Sequence, residues 1–110
     1  MKTIGEIGAL RRRVAIQEMT LVPDGAGGFE SGWTTIAQTW AAFSPISAAE
    51  SYDEGLVTSR TTHKVLIRYR EDIHPSMRIV AGTRSYEVLA SLDPDDRRSR
   101  LQLYVEEART

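Results

Sequence analysis

The side chains best suited to chemistry in this chain are two histidines, a run of aspartates, a cluster of glycines and two groups of arginines. His63 and His74 have no carboxylate or histidine partner at metal-ligand spacing. They read as polar residues at a strand start and in the turn before Pro75. "DPDD", residues 93–96, has the composition of a calcium loop. It lacks the alternating ligand positions and the distal glutamate, so it reads as a solvated turn. "GAGG", residues 25–28, is not followed by Lys-Ser/Thr or by a helix that could hold a phosphate, and it reads as a hairpin tip. No serine stands in a G-x-S-x-G elbow. The chain carries no catalytic constellation, and no cofactor is expected.

The arginines differ. Arg11, Arg12 and Arg13 form one run; Arg97, Arg98 and Arg100 form another. Guanidinium forks pair with carboxylates and phosphates. Solvated strand ends, a protein interface and contact with a phosphate backbone are all open at this level. The balance of 14 basic against 15 acidic residues disfavours a dedicated nucleic-acid binder, which carries a clear basic excess.

These residues must be positioned by one domain. At 110 residues, 41% apolar and 26% charged, the composition is that of a globular chain able to bury a single core. There is no cysteine, hence no disulfide framework or thiolate site. No apolar run approaches a membrane span, and "MKTIGEIGAL" lacks a signal-peptide core. The expectation is a soluble cytosolic protein with no membrane partner, or one packaged from the cytosol.

Periodicity of two dominates from Arg12 onward. A strand is expected over 12–19, with Arg12, Val14 and Ile16 on one face. Glycine-rich turn chemistry at 24–28 joins it to "TTIAQTWAAFSPI". There Ile36, Gln38, Trp40 and Ala42 should share one face, and Ala37, Thr39, Ala41 and Phe43 the other. "HKVLIRYRE" places Val65, Ile67 and Tyr69 opposite Lys64, Leu66, Arg68 and Arg70. "MRIVAGTRSYEVLASL" reads as a short hairpin, with Tyr86, Val88 and Ala90 alternating. "RLQLYVEEA" closes the chain, with Leu101, Leu103 and Val105 aligned. About six short strands with Gly and Pro turns predict an all-β domain. The expected fold is a small antiparallel β-barrel with a short N-terminal arm and a long inserted loop. The expected core is Val14, Ile16, Val65, Ile67, Val88, Leu101 and Leu103.

Two stretches stand outside that pattern. In the arm, residues 1–10, Ile4, Ile7 and Leu10 recur at threes, but Gly5 and Gly8 weaken any helix. The inserted segment, residues 47–62, has almost no apolar periodicity, and loops of that length are usually functional or disordered. It carries Glu50, Asp53, Glu54 and Arg60, with Gly55, Leu56 and Val57 between them.

The order of features resembles the head–tail joining proteins of tailed phages, also called head-completion or stopper proteins, including those of phage-like gene transfer agents. Four stretches carry the resemblance: "IGEIGALRRRVAIQ", "DGAGGFESGWTTIAQTWAAFSPI", "TTHKVLIRYREDIHPSMRIVAGTRSYEV" and "RLQLYVEEA". Together they span nearly the whole chain. The resemblance implies a structural protein, not an enzyme. It would form a ring of six or twelve copies beneath the portal and its adaptor, close the DNA channel of the filled head, and present a surface to a tail-terminator or tail-tube protein. Double-stranded DNA would pass without sequence-specific contact. On that reading residues 47–62 are a channel gate, with Glu50, Asp53 and Glu54 as an acidic collar, Gly55 as a hinge and Leu56 and Val57 packing between copies. A tail-docking loop and a loop without a role are the alternatives. Ile4, Ile7, Leu10, Arg11, Arg12, Arg13, Arg97 and Arg98 are the expected partner contacts. The competing reading is an OB-like barrel that binds single-stranded nucleic acid, which needs Trp40, Tyr69 and Tyr86 on one exposed face.

Overall fold

In the computed structural model, residues 11–46 and 60–108 are described. Six strands follow one another: β1 (Arg12–Pro23), β2 (Phe29–Pro45), β3 (His63–Arg68), β4 (Arg78–Ala81), β5 (Arg84–Leu92) and β6 (Arg100–Glu107). All pairings are antiparallel, and the sheet closes in the order β1-β2-β3-β6-β5-β4. Closure follows from the alternating pattern. Each strand has one apolar face, and rolling the sheet buries all six faces against one another while pairing the edges. Among the described residues there is no helix.

The interior holds Val14, Ile16, Val65, Ile67, Val88, Leu101, Leu103 and Val105, joined by Ala41, Met77, Ile79, Ala81 and Tyr86. Every residue expected in the core is there. One end of the interior is filled by aromatic contacts. Phe43 and Tyr86 lie 5.0 Å apart, His63 meets Tyr86 edge-on at 5.3 Å, and the Arg12 guanidinium sits 5.0 Å from the centre of the Phe43 ring. Burial at this end pushes the His63 imidazole below its ordinary range.

Three expectations change, one of them in β5, where a register shift between Val88 and Ala90 pairs Ala90 with Tyr104 and takes it off the face of Tyr86 and Val88. Alternation puts Leu66 and Ala42 on the outside of the barrel, facing each other across the β2–β3 ladder, yet both are buried there. Period two assigns a face, and exposure then depends on what lies over that face. The third change is in β2. Ile16 pairs with Ala37, but Gln17 pairs with Thr35, so Ile36 is an extra residue. This bulge resets the parity of the strand. Ile36 and Ala37 both pack against the core instead of pointing apart.

The strand directions give the barrel two distinct ends. At the first lie the start of β1, the β2–β3 connection, the β4–β5 turn and the end of β6. At the second lie the β1–β2 hairpin, the β3–β4 connection and the β5–β6 turn. The β4–β5 turn is tight, and Gly82 takes a φ of +63° there.

Candidate assembly surface

β1 and β2 are longer than the barrel needs. β1 meets β4 only at Ala15, Ile16 and Gln17, and β2 meets β3 only from Ala41 onward. Beyond Gln17 and Thr35 the two strands pair only with each other. They leave the second end as a two-stranded ribbon that closes at residues 24–28. At the tip the Asp24 carboxylate accepts the amides of Ala26 (2.8 Å) and Gly28 (3.0 Å). Those bonds hold its pKa below the usual carboxylate value. Gly25 and Gly27 take φ values of +81° and +87°, which a side chain would strain.

The register sorts the ribbon's side chains. Met19 pairs with Trp33, Leu21 with Ser31 and Pro23 with Phe29, all on the face that continues the outer wall of the barrel. Glu18, Thr20 and Val22 share the other face with Thr34, Gly32 and Glu30. Without the bulge at Ile36, Trp33 would lie on the face opposite Met19. With it, Met19, Leu21, Phe29 and Trp33 form one apolar face. Leu21 is 68% and Phe29 66% exposed, too much for core residues and too clustered for isolated surface apolars.

The foot of the ribbon is fixed to the wall. Arg78 on β4 donates to the Gln17 side-chain carbonyl at 2.6 Å and lies 4.2 Å from the centre of the Trp33 ring. Gln17 also donates to the Thr35 hydroxyl at 3.0 Å. On the other side His74, in the β3–β4 connection, meets the Glu18 carboxylate at 3.1 Å. The Pro75 carbonyl and then Glu18 raise the His74 pKa. Below Trp33 and Met19 a groove of about 310 Å³ runs down the outer wall past Arg78, Ser85 and Glu87 to Ala108.

The expected site residues separate. Arg11, Arg12 and Arg13 are at the first end: the Arg11 amide donates to the Ala41 carbonyl, and the Arg13 guanidinium lies 5.5 Å from the Trp40 ring centre. Arg97 and Arg98 are at the second end, in the β5–β6 turn, so the two arginine groups do not form one surface. Within that turn Arg100 grips both Asp95 oxygens, at 2.8 and 3.0 Å, and lowers the Asp95 pKa. Asp93 accepts the Arg98 amide at 2.8 Å. Arg60 is tied to the outer wall, with bonds to Glu106 at 2.7 and 3.0 Å and to Glu87 at 3.1 Å. Beside it Thr61 is buried, and Thr62 is clamped to Val105 and Glu107. The inserted segment thus springs from a firm foot at the first end. Ile4, Ile7, Leu10, Glu50, Asp53, Glu54, Gly55, Leu56 and Val57 lie outside the described residues. His63 and His74 stand at opposite ends of the barrel.

The family model for phage head completion protein matches residues 6–108. The chain belongs to the phage head completion protein family. Among solved structures, protein SF1141 from Shigella flexneri 2a has 30% identity and a TM-score of 0.75, over 93% of this chain and 96% of that one. A chain from the virion of a native gene transfer agent particle has the same fold, at 24% identity and a TM-score of 0.64, over 90% and 96%. No curated protein matches. A head completion protein is a structural component of a phage-type head, and its place is the particle. The sequence reading missed the part of this protein that most resembles an assembly surface, the face of Met19, Leu21, Phe29 and Trp33. The alternation of Met19, Leu21 and Pro23 was available as a signal. The bulge that brings Trp33 beside them was not.

Proposed function

We propose that this head completion protein is the head–tail connector of its particle. It assembles as a ring beneath the portal or its adaptor, keeps the packaged DNA in the head, and provides the attachment surface for the tail. The observation that carries this reading is the uncovered apolar face of the ribbon on a barrel whose own edges are otherwise paired. Such a face is a protein contact. A closed barrel with different surfaces at its two ends suits a part placed between two partners. Ring formation follows when such contacts are heterologous and the rotation closes. The nucleic-acid alternative loses its support, because Tyr86 is inside the barrel, 1% exposed, and unavailable for stacking on bases.

Closure of the channel rests on the family resemblance and on the acidic balance of residues 47–62. It is tested separately by replacing that segment with a short Gly-Ser link. The connector role is tested by assembling particles with and without the protein and measuring nuclease-protected DNA and tail content. Without it, filled heads should leak DNA and stay tailless. Heads that lack the protein yet retain DNA and accept tails would overturn the reading.

A further inference from the structure

Along β2, successive residues direct their N–H and C=O groups to opposite sides of the strand. The Ile46 amide donates to the Thr62 carbonyl on the β3 side, and the Ala41 carbonyl accepts the Arg11 amide on the β1 side. Even-numbered residues at this end therefore point toward β3. At the tip the Gly28 carbonyl accepts the Asp24 amide, so even-numbered residues there point toward β1. The extra residue at Ile36 switches the sense. Ser31, Trp33, Thr35 and Gln38 are left with backbone groups aimed away from β1, and β3 joins the ladder only at Ala41. Among the described residues, no backbone group meets these four from that side. All four are exposed. Free sheet edges are ordinarily blunted by charge, proline or a bulge. Residues 31–40 hold no charged residue and no proline, in a chain that is 26% charged. The bulge turns Ile36 toward the core and leaves the other four residues open.

From this we infer that β2 takes an added strand: an extended segment of another particle protein pairs with residues 31–38. Its backbone supplies the missing hydrogen-bond partners. Its alternate side chains, set beside Trp33, are apolar and continue the face of Met19, Leu21 and Phe29. A second copy does not fit this place. The other ribbon edge, on β1, ends in Pro23, which has no N–H, and is flanked by Ser76, which shares a groove wall with Met19. That leaves β2 against β2 as the edge pairing between the described residues of two copies. Such a twofold contact joins copies in pairs and builds no ring. The inference rests on the connector reading above and adds how one partner is held.

Amide hydrogen exchange is compared between free protein and assembled particles. In free copies the amides of Ser31, Trp33, Thr35 and Gln38 should exchange faster than those of Gly32 and Thr34, which bond β1. In particles all six should be slow. Ser31→Pro deletes one outward N–H and spares the β1 ladder, whereas Ser31→Ala keeps that N–H. Ser31→Pro should lower incorporation at limiting protein by about fivefold, the weight of one hydrogen bond, and Ser31→Ala should not. A photo-crosslinking side chain at position 31 should join one segment of a different particle protein. Urea midpoints follow folding, and where Ser31→Pro lowers the midpoint the exchange comparison on the unaltered chain decides. Edge amides that stay fast in particles, an equal loss with Ser31→Ala, or crosslinks only to this chain overturn strand addition. With DNA retained and tails attached, those results leave the connector role standing. Particles that lack the protein yet hold DNA and accept tails refute the connector reading itself.

Discussion

Replacing Ile67 with alanine tests the core most directly. Ile67 is fully buried on β3, paired with Ala41 on one side and Leu101 on the other, so no neighbouring edge can relax into the gap. Three carbon groups leave the interior, worth about 0.8 kcal/mol each, or about 2.4 kcal/mol. A residual cavity of roughly 50 Å³ adds about 1.2 kcal/mol at about 24 cal/mol per Å³. The expected loss is therefore about 3.5 kcal/mol, a large share of the about 5–15 kcal/mol that holds such a domain folded. Urea unfolding followed by far-UV circular dichroism is the suitable assay. Trp33 and Trp40 are both exposed in the folded chain, so their fluorescence is a poor reporter of core loss. With a slope of about 1–1.5 kcal/mol per molar urea, the midpoint should fall by roughly 2.3–3.5 M with the slope unchanged. Leu92→Ala, on the half-exposed outer position, should move it by less than about 0.5 M. An unchanged midpoint for Ile67→Ala would refute the assignment of that strand face to the interior.

Gly82→Ala should cost about 1–2 kcal/mol, because the φ of +63° is strained for any residue with a Cβ although space is open there; urea midpoints check it. His74, its pKa raised by the Pro75 carbonyl and Glu18, should lend stability that is fully present below pH 6.5, its unfolded value, and is lost as pH rises through the higher folded value. A proton-NMR titration should place its midpoint above that of His63, whose pKa burial lowers, and Glu18→Gln should lower the His74 midpoint alone. Acidification through His63 acts in the opposite sense, since protonating a partly buried ring opposes folding. Arg60→Ala should leave the barrel folded with a slightly lower urea midpoint at low salt, and the difference should shrink in high salt, because its bonds to Glu87 and Glu106 are solvent-exposed.

Much of the fold was legible because the strands have one wet and one dry face. Val14 with Ile16, Val65 with Ile67, and Leu101 with Leu103 alternate cleanly, and each pair is in the core. The turns at Gly25–Gly28 and Gly82 were marked by residues that tolerate positive φ. What failed to show was whatever depends on pairing between distant strands. A one-residue bulge at Ile36 leaves no local trace, yet it decides which face Trp33 occupies. Strand length was hidden for a similar reason: Leu21, Val22 and Pro23 extend β1 past the barrel into a ribbon, where the alternating pattern had placed the strand's end at residue 19. The burial of Leu66 on the outer wall is likewise tertiary. Arg60 was placed with the acidic segment by its position in the chain, whereas Glu87 and Glu106, remote in sequence, are what hold it.

The seam where β1 meets β4 has a consequence for how the particle and its part stabilise each other. Only Ala15, Ile16 and Gln17 stitch the first strand to the fourth, and the Arg78 contacts with Gln17 and Trp33 lie at the same point. The cylinder is therefore shut by a short clasp with a long lever attached. In a free copy, breathing of the sheet should begin at that clasp, so the amides of Ala15 and Val80 should exchange with solvent before those of Val65 and Leu103. Anything that grips the lever also holds the clasp, and binding that favours the shut cylinder adds to its stability by mass action. Copies in the assembled particle should therefore outlast free copies on heating and under protease, with no new contact made inside the barrel.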